Sequence, residues 1–215
     1  MESGGISGAA GLTWDCAEIG GRRTLFVMAT THEYGPALRA RINPLITGVG
    51  PIEAAIGTAL ALQALADKSA LPDRVVSLGS AGSRRCTLGA VYQIASVSWR
   101  DIDASALGIP KGVTPFLDLA PVQPLDTPFT GVPTATLSTG SDIVSGDAYA
   151  AIDADMVDME TFAVLRACQR FGVPLAGLRG VSDGAGELGK LLDWTGLLEL
   201  LDERLADAVD LLRRT

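Results

Sequence analysis

Residues 154–185, ADMVDMETFAVLRACQRFGVPLAGLRGVSDGA, read as strand, helix, strand. Phe162, Leu165, Cys168 and Gln169 carry helical spacing, Gly172 stands at a natural C-terminal cap, and Pro174 opens the second strand. An acid follows each strand, Glu160 after the first and Asp183 after the second. Two strands joined by a single helix are expected to lie parallel in one sheet, which brings both carboxylates to one rim. In open α/β sheets that rim is where ligands bind.

The same alternation extends upstream. LFVMA (25–29) predicts a buried strand delivering His32 and Glu33 to its C-terminal end, with a helix from about Pro36. PLITGVG (44–50) predicts a strand that Gly48-Val49-Gly50-Pro51 turns into a helix over 51–66. RVVSLGSAG (74–82) predicts a third strand, ending on a Gly-Ser-Ala-Gly turn; such turns aim N–H groups at a ligand oxygen or simply reverse the chain. AVYQIASVSW (90–99) and PTATLST (133–139) are further strands. Between them, 100–132 is rich in Pro and Gly with few periodic apolar residues, the pattern of a functional or interface loop. A last helix over about 195–213 places Leu198, Leu201, Leu205, Val209 and Leu212 on one face. Residues 1–23 are expected to form an N-terminal extension, a loose tail followed by an edge strand, ahead of one domain over 24–215. The expected fold is a single-domain α/β fold with a central mixed, mostly parallel sheet flanked by helices.

Composition narrows the partners. The chain has 215 residues, 47% of them hydrophobic, enough for one good core. A net charge of -8 argues against nucleic acid or an anionic membrane, and the pairs Arg22-Arg23, Arg84-Arg85 and Arg213-Arg214 are too short to reverse it. A small-molecule ligand is the expected partner. Cys16, Cys86 and Cys168 lack metal or disulfide spacing, the N-terminus lacks the charge and apolar run of a signal peptide, and the 51–66 helix carries Glu53 and Gln63. A cytoplasmic protein is expected. His32 is the only histidine, which removes His-cluster metal sites and disfavours Ser-His-Asp hydrolysis, leaving acid-base work to carboxylates.

Each candidate taken alone has a plain structural explanation. Glu160 suits the positive end of a helix dipole, Asp183 suits a turn, Glu33 suits a solvated helix start, and Ser80 and Arg179 suit local hydrogen bonds. Gly184-Ala185-Gly186-Glu187-Leu188-Gly189 matches GxGxxG but lacks the following strand and acid that a dinucleotide site needs. Together, however, Glu33, Gly50, Ser80, Glu160 and Asp183 each follow a separate strand, with Arg179 inside the strand leading to Asp183. Carboxylates converging on a cleft are what acetal cleavage requires: one to protonate the leaving group, another to manage water or an oxocarbenium-like sugar.

Four blocks, TGVGPIEAA (47–55), VVSLGSAG (75–82), VDMETFAV (157–164) and LRGVSDGA (178–185), resemble the nucleoside phosphorylase and nucleosidase superfamily, most closely the 5'-methylthioadenosine/S-adenosylhomocysteine nucleosidases. They occur in family order, spanning about 25–190. The resemblance implies Asp183 as the general acid that protonates the purine imidazole ring, and Glu33 as the group that activates water. It implies that Glu160 holds the ribose hydroxyls with Met159 packed on the sugar, that Ser80 and Arg179 line the site, and that Ile143 and Val144 pack the base. It implies no metal or redox cofactor, and a homodimer with 100–116 at the subunit contact. A protonated Asp183 calls for a desolvated site that raises its pKa. This chain has Ile143 where the family usually stacks an aromatic residue, and Ser77-Leu78 where a phosphorylase would place an Arg. The resemblance leaves three alternatives open: a purine nucleoside phosphorylase, a nucleosidase for another 5'-substituted nucleoside such as futalosine, and a nucleoside-binding protein without chemistry.

Overall fold

The computed structural model describes residues 6–7, 13–184, 186 and 194–214. The GxGxxG match therefore lies outside the described residues except for Gly184 and Gly186, as do 1–5 and 8–12 of the N-terminal extension. The strands are β1 (Ile6–Ser7), β2 (Thr13–Trp14), β3 (Cys16–Ile19), β4 (Arg22–Met28), β5 (Leu45–Ile46), β6 (Arg74–Gly82), β7 (Val91–Trp99), β8 (Val122–Pro124), β9 (Thr134–Thr139), β10 (Met156–Asp158) and β11 (Leu175–Asp183). The helices are α1 (Pro36–Arg39), α2 (Pro51–Ala66), α3 (Thr161–Phe171) and α4 (Leu198–Leu211). No helix among the described residues is long and apolar enough to cross a membrane.

One mixed sheet, ordered β10-β9-β7-β11-β6-β4-β3 with β5 on β4 and β8 on β7, forms the centre. Its central strands β4, β6 and β11 are buried on both faces, so their side chains alternate between two cores. Leu25, Val27, Val75, Leu175 and Val181 pack with α2 and α3. Phe26, Met28, Val76, Ala176 and Leu178 pack with Leu38 of α1 and Leu205, Ala206 and Val209 of α4. The β3–β4 hairpin turns on Gly20-Gly21, whose φ of +58° and +67° suits the two-residue turn that matches strand twist. Cys16–Ile19 is thereby the edge strand of the main sheet.

The expected parallel arrangement of the two strands in 154–185 is corrected by the pairing. β11 runs antiparallel to β7, while β7, β9 and β10 are mutually parallel, so β10 runs against β11. The reason is that α3 does not lead to a neighbouring strand. β9 and β7 intervene, and the sheet curls until β10 meets β6 from the other side, antiparallel at Val157↔Gly82. β4, β5, β6 and β11 form the other mutually parallel set, and these bring Glu33, Gly50, Ser80 and Asp183 to one rim. Glu160 arrives from the opposite direction, carried in by that closing bridge.

Three smaller expectations change. The helix from Pro36 is four residues long, and the strand at 44–50 contracts to Leu45–Ile46. The Gly-Ser-Ala-Gly segment stays in β6 instead of turning. The 100–132 loop carries a 3-10 turn, Ser105–Leu107, and the short β8. The turn after Glu33 is fixed from the other end of the chain: the buried carboxylate of Asp202 in α4 accepts the N–H groups of Gly35, Ala37 and Leu38 at 3.0, 2.7 and 3.1 Å.

Candidate active site

A cavity of about 330 Å³ opens at this rim, lined by the eight residues to which the resemblance gives a role: Glu33, Ser80, Ile143, Val144, Met159, Glu160, Arg179 and Asp183. Glu33 ends a 3-10 turn, Thr31–Glu33, after β4. Its Oε1 accepts two hydrogen bonds from one residue, the Ser80 N–H at 2.8 Å and the Ser80 hydroxyl at 2.5 Å. The Ser80 N–H thus serves a protein carboxylate, not a ligand oxygen as the turn reading allowed. Ile143 is 73% exposed at the cavity mouth, whereas Val144 is buried against Tyr149 and Val157.

Asp183 lies at the end of β11, with Ser182 Oγ donating to Oδ1 at 2.7 Å and the Tyr149 hydroxyl donating to Oδ2 at 3.4 Å. Burial pushes its carboxyl above the ordinary range, against the opposing pull of those two hydroxyls. Glu160 stands just before α3, and its Oε1 accepts the Gly50 N–H at 2.8 Å. Burial first, then the charge of Asp158, pushes Glu160 up to about 7, with the Gly50 N–H and Arg179 opposing.

That shift has a consequence for stability. A carboxyl raised in the folded chain favours folding while it is protonated, so its contribution is full below its ordinary value of 4.5 and is lost as pH rises through about 7. The loss amounts to about 3 kcal/mol at most. The melting temperature of the unliganded wild type is expected to fall between pH 5 and 8 by several degrees more than that of Glu160→Gln. Parallel curves for the two proteins would remove Glu160 as the titrating group.

Arg179 lines the cavity, as the resemblance implies, but its guanidinium is engaged by protein groups. It is 2% exposed, and its Nη2 donates to Asp158 Oδ2 at 2.9 Å, Ser77 Oγ at 2.9 Å and Thr161 Oγ1 at 2.6 Å. Burial pulls the Asp158 carboxyl upward, but the Arg179 guanidinium and the Thr139 and Thr161 hydroxyls outweigh it and hold the group below the usual range. Arg179 and Asp158 form a fixed floor beneath Glu160.

Sequence reasoning missed Asp158, Arg100, Tyr149 and Trp194. Asp158 had a signal: it is a lone charge in a buried strand, as Arg179 is, and two such charges imply a pair. Arg100 lines the cavity and donates to the carbonyls of Ser138, Asp158 and Asp142 at 2.6, 3.1 and 2.6 Å, fastening the loop that bears Ile143. Trp194 follows a stretch with no periodic pattern.

Comparison with known proteins agrees with this geometry. The model of the phosphorylase superfamily matches residues 134–212. The 5'-methylthioadenosine/S-adenosylhomocysteine nucleosidase of Actinobacillus succinogenes is 31% identical over 186 residues, 74% of this chain and 79% of that protein. The enzyme of the same name from Halalkalibacterium halodurans is 30% identical over 167 residues, 68% of this chain and 69% of that one. Among solved structures, the Neisseria meningitidis nucleosidase in complex with methylthio-immucillin-A superposes with a TM-score of 0.73 at 19% identity, covering 89% of this chain and 99% of that one. A futalosine hydrolase mutant of Helicobacter pylori superposes with a TM-score of 0.74 at 19% identity, covering 88% and 97%. These two likenesses establish the nucleoside phosphorylase-like fold. Sequence identity over most of both chains establishes more: the protein belongs to the 5'-methylthioadenosine/S-adenosylhomocysteine nucleosidase family.

Proposed function

We propose that the protein hydrolyses the N-glycosidic bond of a 5'-substituted adenosine of the methylthioadenosine or adenosylhomocysteine type and releases adenine. The observation that carries this reading is the pairing of a raised carboxyl, Asp183, with a second carboxylate, Glu33, on one cavity rim. Asp183 donates its proton to the imidazole ring of the purine as the C–N bond breaks. Water adds its oxygen to the anomeric carbon and gives a proton to Glu33. Solvent then returns Asp183 and Glu33 to their starting states. Glu160 binds the ribose hydroxyls and, ionised, lies near the developing positive charge of the sugar. Met159 packs on the sugar, and Val144 with Ile143 forms the base side.

Water is favoured over phosphate because both guanidiniums lining the cavity are engaged, Arg179 by Asp158 and Arg100 by three carbonyls. Ser77, where a phosphorylase would approach its anion, is spent on Arg179. Three free thiols support a reducing, cytoplasmic setting. The test is a panel of methylthioadenosine, adenosylhomocysteine, deoxyadenosine and futalosine scored by free base released. Fastest release from the first two is expected, and release from none of them would overturn the proposal.

The chain acts as a homodimer in this reading. Ile52, Ile56 and Leu60 form an exposed apolar line along α2, and Leu107 and Phe116 of the 100–116 segment are exposed as well, Phe116 completely. Exposed apolar side chains aligned along a helix are a mark of an interaction face. Sedimentation at micromolar concentration is expected to give a dimer; a monomer would contradict the assignment.

A further inference from the structure

Trp194, just before α4, donates its indole N–H to Ser80 Oγ at 2.9 Å. Indole can only donate, and a serine hydroxyl has one proton to give. With the indole occupying an acceptor position, the Ser80 proton is directed to its other close neighbour, Glu33 Oε1 at 2.5 Å. The Ser80 backbone N–H reaches the same oxygen at 2.8 Å. Among the described residues, Glu33 Oε2 accepts no hydrogen bond. It lies over Gly79, where an added Cβ would stand 3.1 Å from it, so the absence of a side chain there leaves the carboxylate room. One oxygen is held by two donors and the other is left open on a residue that lines the cavity.

We propose that Trp194 is a positioning residue that acts through the Ser80 hydroxyl to fix the Glu33 carboxylate, leaving Oε2 as the oxygen that receives the proton of the attacking water. This rests on the assignment of Glu33 as the water-activating group. The tie joins the chain segment before α4 to the turn after β4, and the tilted packing of Trp194 with His32, 6.5 Å between ring centres, holds the indole over the same turn. A phenylalanine at 194 would keep that packing and lose the donor. The resemblance and the 5'-group do not account for a donor at this place; the Ser80 contact does.

Two measurements test it. In a double-mutant cycle, Trp194→Phe is expected to lower kcat about tenfold in the wild-type background and less than about twofold in Ser80→Ala, because the indole has no route to Glu33 once the hydroxyl is gone. Thermal melting of each variant separates this from loss of fold. In the free protein, labelled with ¹⁵N, the chain's three tryptophans give indole resonances; Trp194→Phe identifies one, and Ser80→Ala is expected to shift that one most. Equal loss of kcat in both backgrounds, wild-type kcat in Trp194→Phe, or an unmoved resonance would overturn the proposal. A wild type that hydrolyses nothing would remove the assigned function, and the proposal with it; an active wild type with additive effects removes the proposal alone.

Discussion

Asp183→Asn is expected to lower kcat by about 10³- to 10⁴-fold with the fold intact. An amide is nearly the size of a carboxyl and offers an oxygen to Ser182 Oγ, so the local hydrogen bonding at 2.7 Å has a replacement. What it lacks is a transferable proton. Without one, adenine must depart as an anion, and three to four decades correspond to about 4–5 kcal/mol of barrier. With the protonated carboxyl as the proposed active form, wild-type kcat/KM is expected to fall as pH rises through the raised pKa of Asp183. The variant is expected to lose that alkaline limb. A melting temperature near wild type together with near-wild-type kcat would remove Asp183 from the chemistry.

The largest stability effect is expected at Asp158→Ala, about 3–5 kcal/mol, or on the order of 10 °C in melting temperature. Asp158 receives Thr139 Oγ1 at 2.6 Å, Thr161 N at 2.9 Å and Arg179 Nη2 at 2.9 Å. Removing it leaves a guanidinium 2% exposed without its ion-pair partner. The cost is that of the stranded charge, not the net worth of the pair, so Asp158→Leu combined with Arg179→Met is expected to recover much of the loss. A drop below about 1 kcal/mol in the single variant would show that the pair is solvated and not buried.

Local signals account for what could be read in advance. The start of α2 follows from Pro51 after Gly50, and β6 from the apolar and small residues of VVSLGSAG closing on Gly82. Glu33, Ser80 and Asp183 were placed because their strands are parallel and share a rim. Glu160 reaches the same cavity for a different physical reason, since the bridge between Val157 and Gly82 depends on the curl of the whole sheet and leaves no mark on either strand. The short α1 had a signal in Asn43-Pro44, which stops a helix soon after it begins. Arg179 was legible as a site residue but not as half of a buried pair, because the isolated charge at Asp158 was not matched to it. Trp194 stands just ahead of the periodic 195–213 helix with nothing in the sequence to say what it faces, and only the fold brings it over Ser80.

Attack by water on the sugar, with Asp183 protonating the base, is distinguished from attack by phosphate by identifying both products from methylthioadenosine. Equal amounts of adenine and free 5-methylthioribose are expected, formed at the same rate in phosphate-free buffer and in buffer containing phosphate. A sugar 1-phosphate, or a rate that vanishes when phosphate is withheld, would contradict it.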